Sequence, residues 1–502
     1  MSSQFGKVYL VGAGPGDPGL ITQKALDLIR KADVIFYDNL VNPLLLKEAR
    51  DSCEKIYVGK RGEGNSTEQQ HIEDQLVKAA QKAKCVVRLK GGDPFIFGRG
   101  GEEAQRLVQE KIAFEIVPGV TSAIAVPAYA GIPLTHRNFT SSVAFVTGHF
   151  SVQESFAPLN WDALSKIGTL VFLMGVKSIR KNMESLIAAG KDPQTPAAII
   201  RWGTYPKQQT LVSTISQIAD KVEEHHLMPP AILITGEVVN LRNEITWFES
   251  KPLFAKTILV TRARQQASEL SQKLRDLGAH VIEVPALEIH PPASWKKMDL
   301  AIKNIKKYDW LVFTSINAVQ SFFGRLQKLK KDIRDLSGLK IAAVGPATAE
   351  ALEKLHLQVA KLPAQFNARK LALSFKSKDI KGKRFLFPRA KEGRDDLIDI
   401  LTEKGAKVDL LIAYENKIPK NMDQTLQNIS EIDCITFASS SSVENFVKIL
   451  SPSQYEKFKQ SACVCIGPQS LQKAKELGFE KAQKAPQSTI NALIQKITEL
   501  FS

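Results

Sequence analysis

The stretch VVRLKGGDPFIFGRGGEE, residues 86–103, decides how the first half of this chain is read. VVRL is strand-like, and the residues after it pack Gly91, Gly92, Gly98, Gly100 and Gly101 around Asp93, Arg99 and Glu102. A plain turn needs one or two glycines; five let the backbone approach a ligand without Cβ interference. Asp93 is suited to accept hydrogen bonds from a ribose or an amino group, and Arg99 offers a planar fork for carboxylates. Upstream, VGAGPGDPGLIT (residues 11–22) is a second glycine turn after a strand, spaced Gly12, Gly14, Gly16. Asp17-Pro18 interrupts the helix start that a dinucleotide fingerprint requires, and no Walker lysine follows. Nicotinamide and ATP readings are therefore weak, while close backbone approach to some ligand stands. Downstream, VPGVTSAIA (residues 117–125) is a third strand-to-helix turn, where Thr121 and Ser122 can cap the helix. Asp38 closes VIFYD, and Lys60 closes KIYVGK. Strand ends are where α/β enzymes place reacting groups, although isolated charges there are more often ordinary surface.

Working outward, strand-like and helix-like segments alternate along the whole chain, which predicts an α/β fold with mainly parallel strands. A second group of strands begins near residue 142, with breaks expected at 133–139 and 247–256. The chain has 502 residues, enough for three to four domains, with 44% hydrophobic and 24% charged residues. That is ordinary globular usage and argues against a disordered or coiled-coil chain. The apolar runs are too short for a membrane span, and MSSQFGKVYL leads into a strand with no signal peptide, so the cytoplasm is expected. The five cysteines show no metal-ligand spacing and read as buried thiols. Of the net charge of +16, residues 1–250 carry +1 (27 basic, 26 acidic) and the remainder +15. An anionic partner suits this asymmetry, as does a lysine-rich solvated surface.

From residue 257 the chain repeats itself. TILVTRAR resembles KRFLFPRA, FTSINAVQSFF resembles FASSSSVENFV, and AVGPATAEALEKL resembles CIGPQSLQKAKEL. Offsets between matched residues are similar: 127 for Gly278 and Gly405, 124 for Phe313 and Phe437, and 122 for Gly345 and Gly467. A duplicated α/β lobe is the reading, two lobes facing each other across a cleft. Each copy places Ser, Thr or Gly where a strand meets a helix, and such helix starts bind anions. Ser315, Thr348, Ser439 and Ser441, with Arg262 and Arg389 after strand ends, are the candidate contacts for a polycarboxylate. Routine capping is the bland account of each taken singly.

Residues 7–239 resemble the tetrapyrrole methylase family, its uroporphyrinogen-III C-methyltransferase branch above all. The matching segments are VGAGPGDP, FYDNLV, VGKRG, LKGGDPFIFGRGGEE, VPGVTSAIA, LMG (173–175) and ITGEVV, in that order. The resemblance implies two α/β lobes (about 1–136 and 137–250) with S-adenosylmethionine between them, in a homodimer. It implies that Pro15, Gly91, Gly92, Asp93, Ile96, Thr121, Ser122, Met174 and Gly203 line the donor pocket. Asp38 would accept a proton, Lys60 would donate one, and Arg99 and Glu102 would touch substrate. RWGT, around Gly203, departs from the more amide-rich family segment. Residues 256–502 resemble uroporphyrinogen-III synthases through ILVTRAR, FTSINAV, AVGPATAEAL, LFPRA, LLIAYE, FASSSSVENF and CIGP. That family's fold implies two flavodoxin-like lobes, about 256–288 plus 417–502 and 289–416, within a domain spanning 251–502. Tyr414 would assist loss of hydroxyl from hydroxymethylbilane, with no cofactor in this half and no metal in either.

The combined expectation is a bifunctional enzyme that closes hydroxymethylbilane to uroporphyrinogen III and methylates it twice to precorrin-2, on the way to sirohaem or cobalamin. Its partners would be polycarboxylate tetrapyrroles, with neither nucleic acid nor membrane. One rival is an RNA methyltransferase of the same superfamily, gripping phosphates with the basic half; that half lacks an aromatic stacking array. Another is a methyltransferase regulated by a bilobal sensor.

Overall fold

The computed structural model describes residues 6–59, 66–148, 159–261, 264–284, 288–393, 395–417, 426, 429 and 431–502. The chain separates into two compact units, the first essentially residues up to 257 and the second most of the remainder.

The first unit opens with β1 (Lys7–Gly12), β2 (Val34–Tyr37), β3 (Glu54–Tyr57), β4 (Cys85–Lys90) and β5 (Phe114–Val117). They form one sheet in the order β3-β2-β4-β1-β5, parallel throughout. A parallel sheet is covered on both faces, so its strands read as near-continuous apolar runs. Val8 and Leu10 pack with Phe36 and Val86 on one face, while Val11 packs with Ile35, Val87 and Leu89 on the other.

Next come β6 (Val143–Thr147), β7 (Thr169–Leu173), β8 (Pro196–Arg201), β9 (Gln209–Thr214) and β10 (Ala231–Thr235), ordered β6-β7-β10-β8-β9. Here the expectation of mainly parallel strands fails. Only β6 and β7 run parallel; β7-β10, β10-β8 and β8-β9 are antiparallel. For one of these pairs the cause is local: β8 and β9 are joined by a short turn at 202–208, in which Trp202 and Thr204 take positive φ. So short a link permits a hairpin but not a parallel crossover.

The two sheets are joined through the helix Ser122–Tyr129, whose Ala123, Ala125, Val126 and Pro127 are all buried. Ala123 and Val126 pack into an apolar cluster with Val171, Leu173, Ile200 and Ile232 of the second sheet. Around that joint runs a polar strap. The Asp17 N–H donates to Thr204 Oγ1 at 3.0 Å, and the Tyr129 hydroxyl donates to Asp17 Oδ2 at 2.7 Å. Burial, and then that bond to Asp17, push the Tyr129 phenol above its ordinary range. Gln208 accepts from the Thr204 N–H and donates to Glu249 Oε1, which also takes the Thr210 hydroxyl. The other Glu249 oxygen pairs with Arg242.

The second unit carries β11 (Thr257–Val260), β12 (His280–Glu283), β13 (Glu288–His290), β14 (Trp310–Phe313) and β15 (Lys340–Ala343). It continues with β16 (Arg384–Ala390), β17 (Lys407–Lys417), β18 (Cys434–Phe437), β19 (Ala462–Cys465) and β20 (Ala482–Lys484). One sheet runs β12-β11-β18-β19-β20 and the other β13-β17-β16-β14-β15. Numbered in chain order, the first lobe is the flavodoxin order 2-1-3-4-5; in the second, the parallel strands β14–β17 follow 2-1-3-4, and antiparallel β13, first in the chain, takes the outer place beside β17. The lobes are not the two sequence copies. β11 and β12 of the first copy share a sheet with β18 and β19 of the second, while β14 and β15 share one with β16 and β17. Each lobe is thus assembled half from each copy.

Four of the five free cysteines are buried, Cys85 being intermediate. Burial above all raises the Cys434 thiol to about 12, and a group so protonated is a poor nucleophile. Among the described residues no helix is long and apolar enough to cross a membrane.

Two substitutions test the strap. Glu249→Ala removes the acceptor of three donors and should lower the unfolding free energy by about 2 kcal/mol in urea titrations followed by tryptophan fluorescence. A Cβ on Gly16, which has φ +146°, would lie 2.1 Å from the Tyr205 ring. Gly16→Ala should cost about 2 kcal/mol in the same titration. A wild-type midpoint for either variant would show that the strap does not hold the lobes.

Candidate active sites

Because β1, β2, β4 and β5 are parallel, their C-terminal ends share one edge, and the three glycine turns of the sequence meet there. Gly14 and Gly92 bond reciprocally, with N–H to carbonyl distances of 3.2 and 2.7 Å. A Cβ on Gly12 would lie 2.5 Å from the Gly119 backbone, and one on Gly119 would lie 2.4 Å from the Gly92 carbonyl. Three backbones therefore touch with no side chain between them, and only glycine permits that approach. Pro15 sits between Gly14 and Gly16 on the first of these turns. A Cβ on Gly92, whose φ is +70°, would face the Ser122 nitrogen and Thr121 Cα. Thr121 caps the following helix, accepting from the Ala123 N–H at 3.3 Å. One turn on, Val126 packs so closely on Gly203 that a Cβ there would lie 2.4 Å from it. Leu173, in the same cluster as Ala123 and Val126, is followed by Met174, which is exposed at φ +56°.

The five glycines of residues 91–101 divide by what surrounds them. Gly92 belongs to the cradle, whereas a Cβ on Gly91 would lie 2.6 Å from the Leu40 Cβ, so Gly91 lets its turn close on the one that carries Asp38. Cβ atoms on Gly98 and Gly100 would strike the Pro94 carbonyl at 2.6 and 2.5 Å, so those two serve the turn itself, and Gly101 faces open space. The Asp93 carboxylate accepts from the N–H groups of Phe95, Ile96 and Gly119, at 2.8, 3.1 and 2.9 Å, and so ties the second turn to the third. Ile96 is exposed on this loop. Arg99, at φ +56°, precedes the helix Gly100–Gln109, and Glu102 lies exposed in its first turn.

Asp38 stands at the end of β2, its side chain about a quarter exposed. It accepts from the Leu40 N–H at 3.0 Å and the Gly91 N–H at 3.2 Å, and lies 4.0 Å from the Arg88 guanidinium. The carboxylate is oriented by these bonds and still meets water. Lys60 lies outside the described residues, so its relation to Asp38 is not described. Sequence reasoning missed Arg88, Lys90 and Glu103, a buried ion cluster beside Asp38. The available signal was the alternation in VVRLK, which sets two cations on one face of a strand otherwise almost entirely buried.

In the second unit, Ser315 caps the helix Ile316–Lys328, its Oγ accepting from the Ala318 N–H. The same oxygen is 3.1 Å from the Tyr414 hydroxyl. Tyr414 is 7% exposed, among Phe313, Leu411 and Ala413, and lies just past an irregularity in the pairing of β16 with β17. Arg389 is buried and paired with Asp395 of its own loop, while Gly393 packs on its guanidinium. Thr348 is buried in the helix Pro346–Glu353. Ser439 caps the helix Ser440–Ile449 and bonds Ser441. Arg262 lies outside the described residues.

Comparison with known proteins gives two family matches. Residues 7–219 match the tetrapyrrole (corrin/porphyrin) methylases, and residues 268–495 match uroporphyrinogen-III synthase HemD. The porphyrin biosynthesis protein HemD of Ruminiclostridium josui is 39% identical over 501 residues, covering 99% of this chain and 98% of its own length. A uroporphyrinogen-III C-methyltransferase of Bacillus subtilis is 42% identical over 360 residues, covering 70% of this chain and 72% of its own. An S-adenosyl-L-methionine-dependent uroporphyrinogen III methyltransferase of Methanosarcina barkeri is 52% identical over 244 residues, 48% of this chain and 96% of its own. The chain belongs to the porphyrin-biosynthesis proteins in which a tetrapyrrole methylase and a uroporphyrinogen-III synthase are joined in one polypeptide.

Proposed function

We propose that this chain closes hydroxymethylbilane to uroporphyrinogen III in its second unit and methylates that product twice in its first, giving precorrin-2. The observation that carries the methylation is the backbone cradle formed where Gly12, Gly92 and Gly119 meet, with Asp38 beside it. S-adenosylmethionine supplies an electrophilic methyl group, so the protein need only position a nucleophilic pyrrole carbon in line with it and exclude water. The cradle fits such a donor: Gly91 and Gly92 present bare backbone, Thr121 and Ser122 open a helix beside it, and Met174 and Ile96 offer exposed apolar surface. After transfer a proton leaves the macrocycle. Asp38, held by two N–H groups yet still open to water, takes it and releases it to solvent. Arg99 and Glu102 meet the substrate, and Lys60 has the proton-donor role, any proton it gives being matched by a further one removed so that each methyl transfer releases one proton overall.

The second unit needs no redox partner: the hydroxyl leaves with a proton from the attacked pyrrole carbon as water, and inversion of the last pyrrole breaks one carbon–carbon bond for each further one it forms, with no change of oxidation state. The Tyr414 hydroxyl, held against Ser315, assists that departure. The remaining substrate contacts assigned are Arg262, Thr348, Arg389, Ser439 and Ser441. For Arg389 the contact would require the guanidinium to leave Asp395. Both substrates carry eight carboxylates, consistent with the second half's excess of +15. The two activities divide near residue 250. The chain acts in the cytoplasm, as a homodimer through the first unit.

The decisive experiment supplies the full chain with hydroxymethylbilane and S-adenosylmethionine and identifies the pigment. Precorrin-2 of the type III arrangement is expected, and methylated or unmethylated type I product would sink the reading. Asp38→Ala should bind S-adenosylmethionine within about twofold of wild type while turning over at least about 100-fold more slowly. Tyr414→Phe should slow cyclisation by about tenfold or more, read as a rising share of the type I isomer. Full retention of type III product would remove Tyr414 from the mechanism.

A further inference from the structure

Three ionisable side chains sit beside the first site without a place in the proposed reaction. Arg88 and Lys90 of β4 are 4% and 5% exposed, and Glu103 of the helix Gly100–Gln109 is wholly buried. Strand alternation puts Arg88 and Lys90 on the face that carries Val86, while Val87 and Leu89 point the other way. β2 pairs alongside, Phe36 with Arg88 and Tyr37 with Leu89, which brings Asp38 level with Lys90. One oxygen of Glu103 accepts from Arg88 Nε at 3.1 Å and from Lys90 Nζ at 2.8 Å. Arg88 Nη1 also donates to the Leu89 carbonyl at 3.2 Å and stands 4.0 Å from Asp38 Oδ2. The other oxygen of Glu103 bonds to no described residue.

Stability does not explain this cluster. Each buried ion costs several kcal/mol in desolvation, and replacing such a set with apolar residues is often neutral or stabilising. Burial, and then the neighbouring Arg88, hold the Lys90 ammonium below its ordinary range against the pull of Glu103. The rest of that sheet face is apolar, with Val8, Leu10, Phe36 and Val86. The ions appear only where the face reaches Asp38.

We infer that Arg88 is a positioning residue for Asp38. Glu103, shared with Lys90, locks the guanidinium in place, and the guanidinium together with the Gly91 and Leu40 N–H groups fixes where the carboxylate points. This rests on the reading of Asp38 as proton acceptor; Arg88 itself touches neither the donor nor the macrocycle.

The test uses the full chain with uroporphyrinogen III and S-adenosylmethionine, and four variants: Arg88→Met, Arg88→Lys, Asp38→Ala and the Arg88→Met/Asp38→Ala double. Arg88→Met should lower kcat by about tenfold or more, with KM for the macrocycle and Kd for S-adenosylmethionine within about twofold. Arg88→Lys, which restores a positive charge, should recover at least about a third of the lost rate. In the Asp38→Ala background, Arg88→Met should cost less than about twofold further, because a residue acting through another has nothing left to act on. If Asp38→Ala is impaired and Arg88→Met adds its full effect, the positioning role is wrong while the Asp38 assignment survives. If Asp38→Ala is fully active, both fall. Should Arg88→Met not fold, Glu103→Gln keeps the side-chain shape but removes the negative charge that holds the guanidinium. It should show the same loss in kcat alone, whereas unchanged kcat, or loss of S-adenosylmethionine binding instead, overturns the inference.

Discussion

The first unit depends on one steric fact: three turns at the edge of a parallel sheet touch backbone to backbone. Gly12 and Gly119 leave no room for a Cβ, Gly92 holds a positive φ, and the reciprocal bonds of Gly14 with Gly92 hold the first two turns in register. A parallel sheet delivers all its strand ends to one side, but nothing in the sheet itself brings loops after β1, β4 and β5 into contact. The glycines do that, and Asp93 completes it by bridging the second turn to the third. The helix start at Thr121, the packing of Val126 on Gly203 and the Leu173–Met174 strand end then depend on where the third turn leads.

That arrangement also sets the electrostatics. Asp38 is flanked by main-chain donors it could not find without the Gly91 turn, and by a guanidinium placed from the strand next door. Carboxylates fixed in this way need little reorganisation when charge moves during a reaction, and such preorganisation is a large part of catalysis. The ions behind it are costly to bury, and their restriction to one corner of an apolar face ties them to Asp38. The second unit uses a lighter device: one serine hydroxyl both caps a helix and meets a tyrosine.

The repeat in the second half shows a different relation between chain and fold. Its copies are plain in the sequence, yet neither builds a lobe. β11 pairs with β18, and β14 with β16, so both sheets draw on both copies. Each strand keeps its local character, an apolar run ending in a polar turn, and the exchange of partners leaves that character unchanged. Local pattern specifies a strand; it does not specify the neighbour.

The sequence by itself determined the α/β class, the three glycine turns, the duplicated second half and the residues that could carry chemistry, because these are local properties of composition and period. It could not tell Gly92, which shapes a cradle, from Gly91, Gly98 and Gly100, which let turns pack, since the difference is which atoms surround each one in space. It could not show that Asp93 bridges two turns through Phe95, Ile96 and Gly119, or that Arg389 is paired with Asp395. It passed over Arg88, Lys90 and Glu103, because a charge reads as surface until its burial is seen. It missed the antiparallel second sheet, because strand direction is set by the length of the connecting turn and by long-range pairing. Only the tertiary structure decides which polar groups are already satisfied, and in a folded interior the satisfied groups build the frame and the remaining ones are left for chemistry.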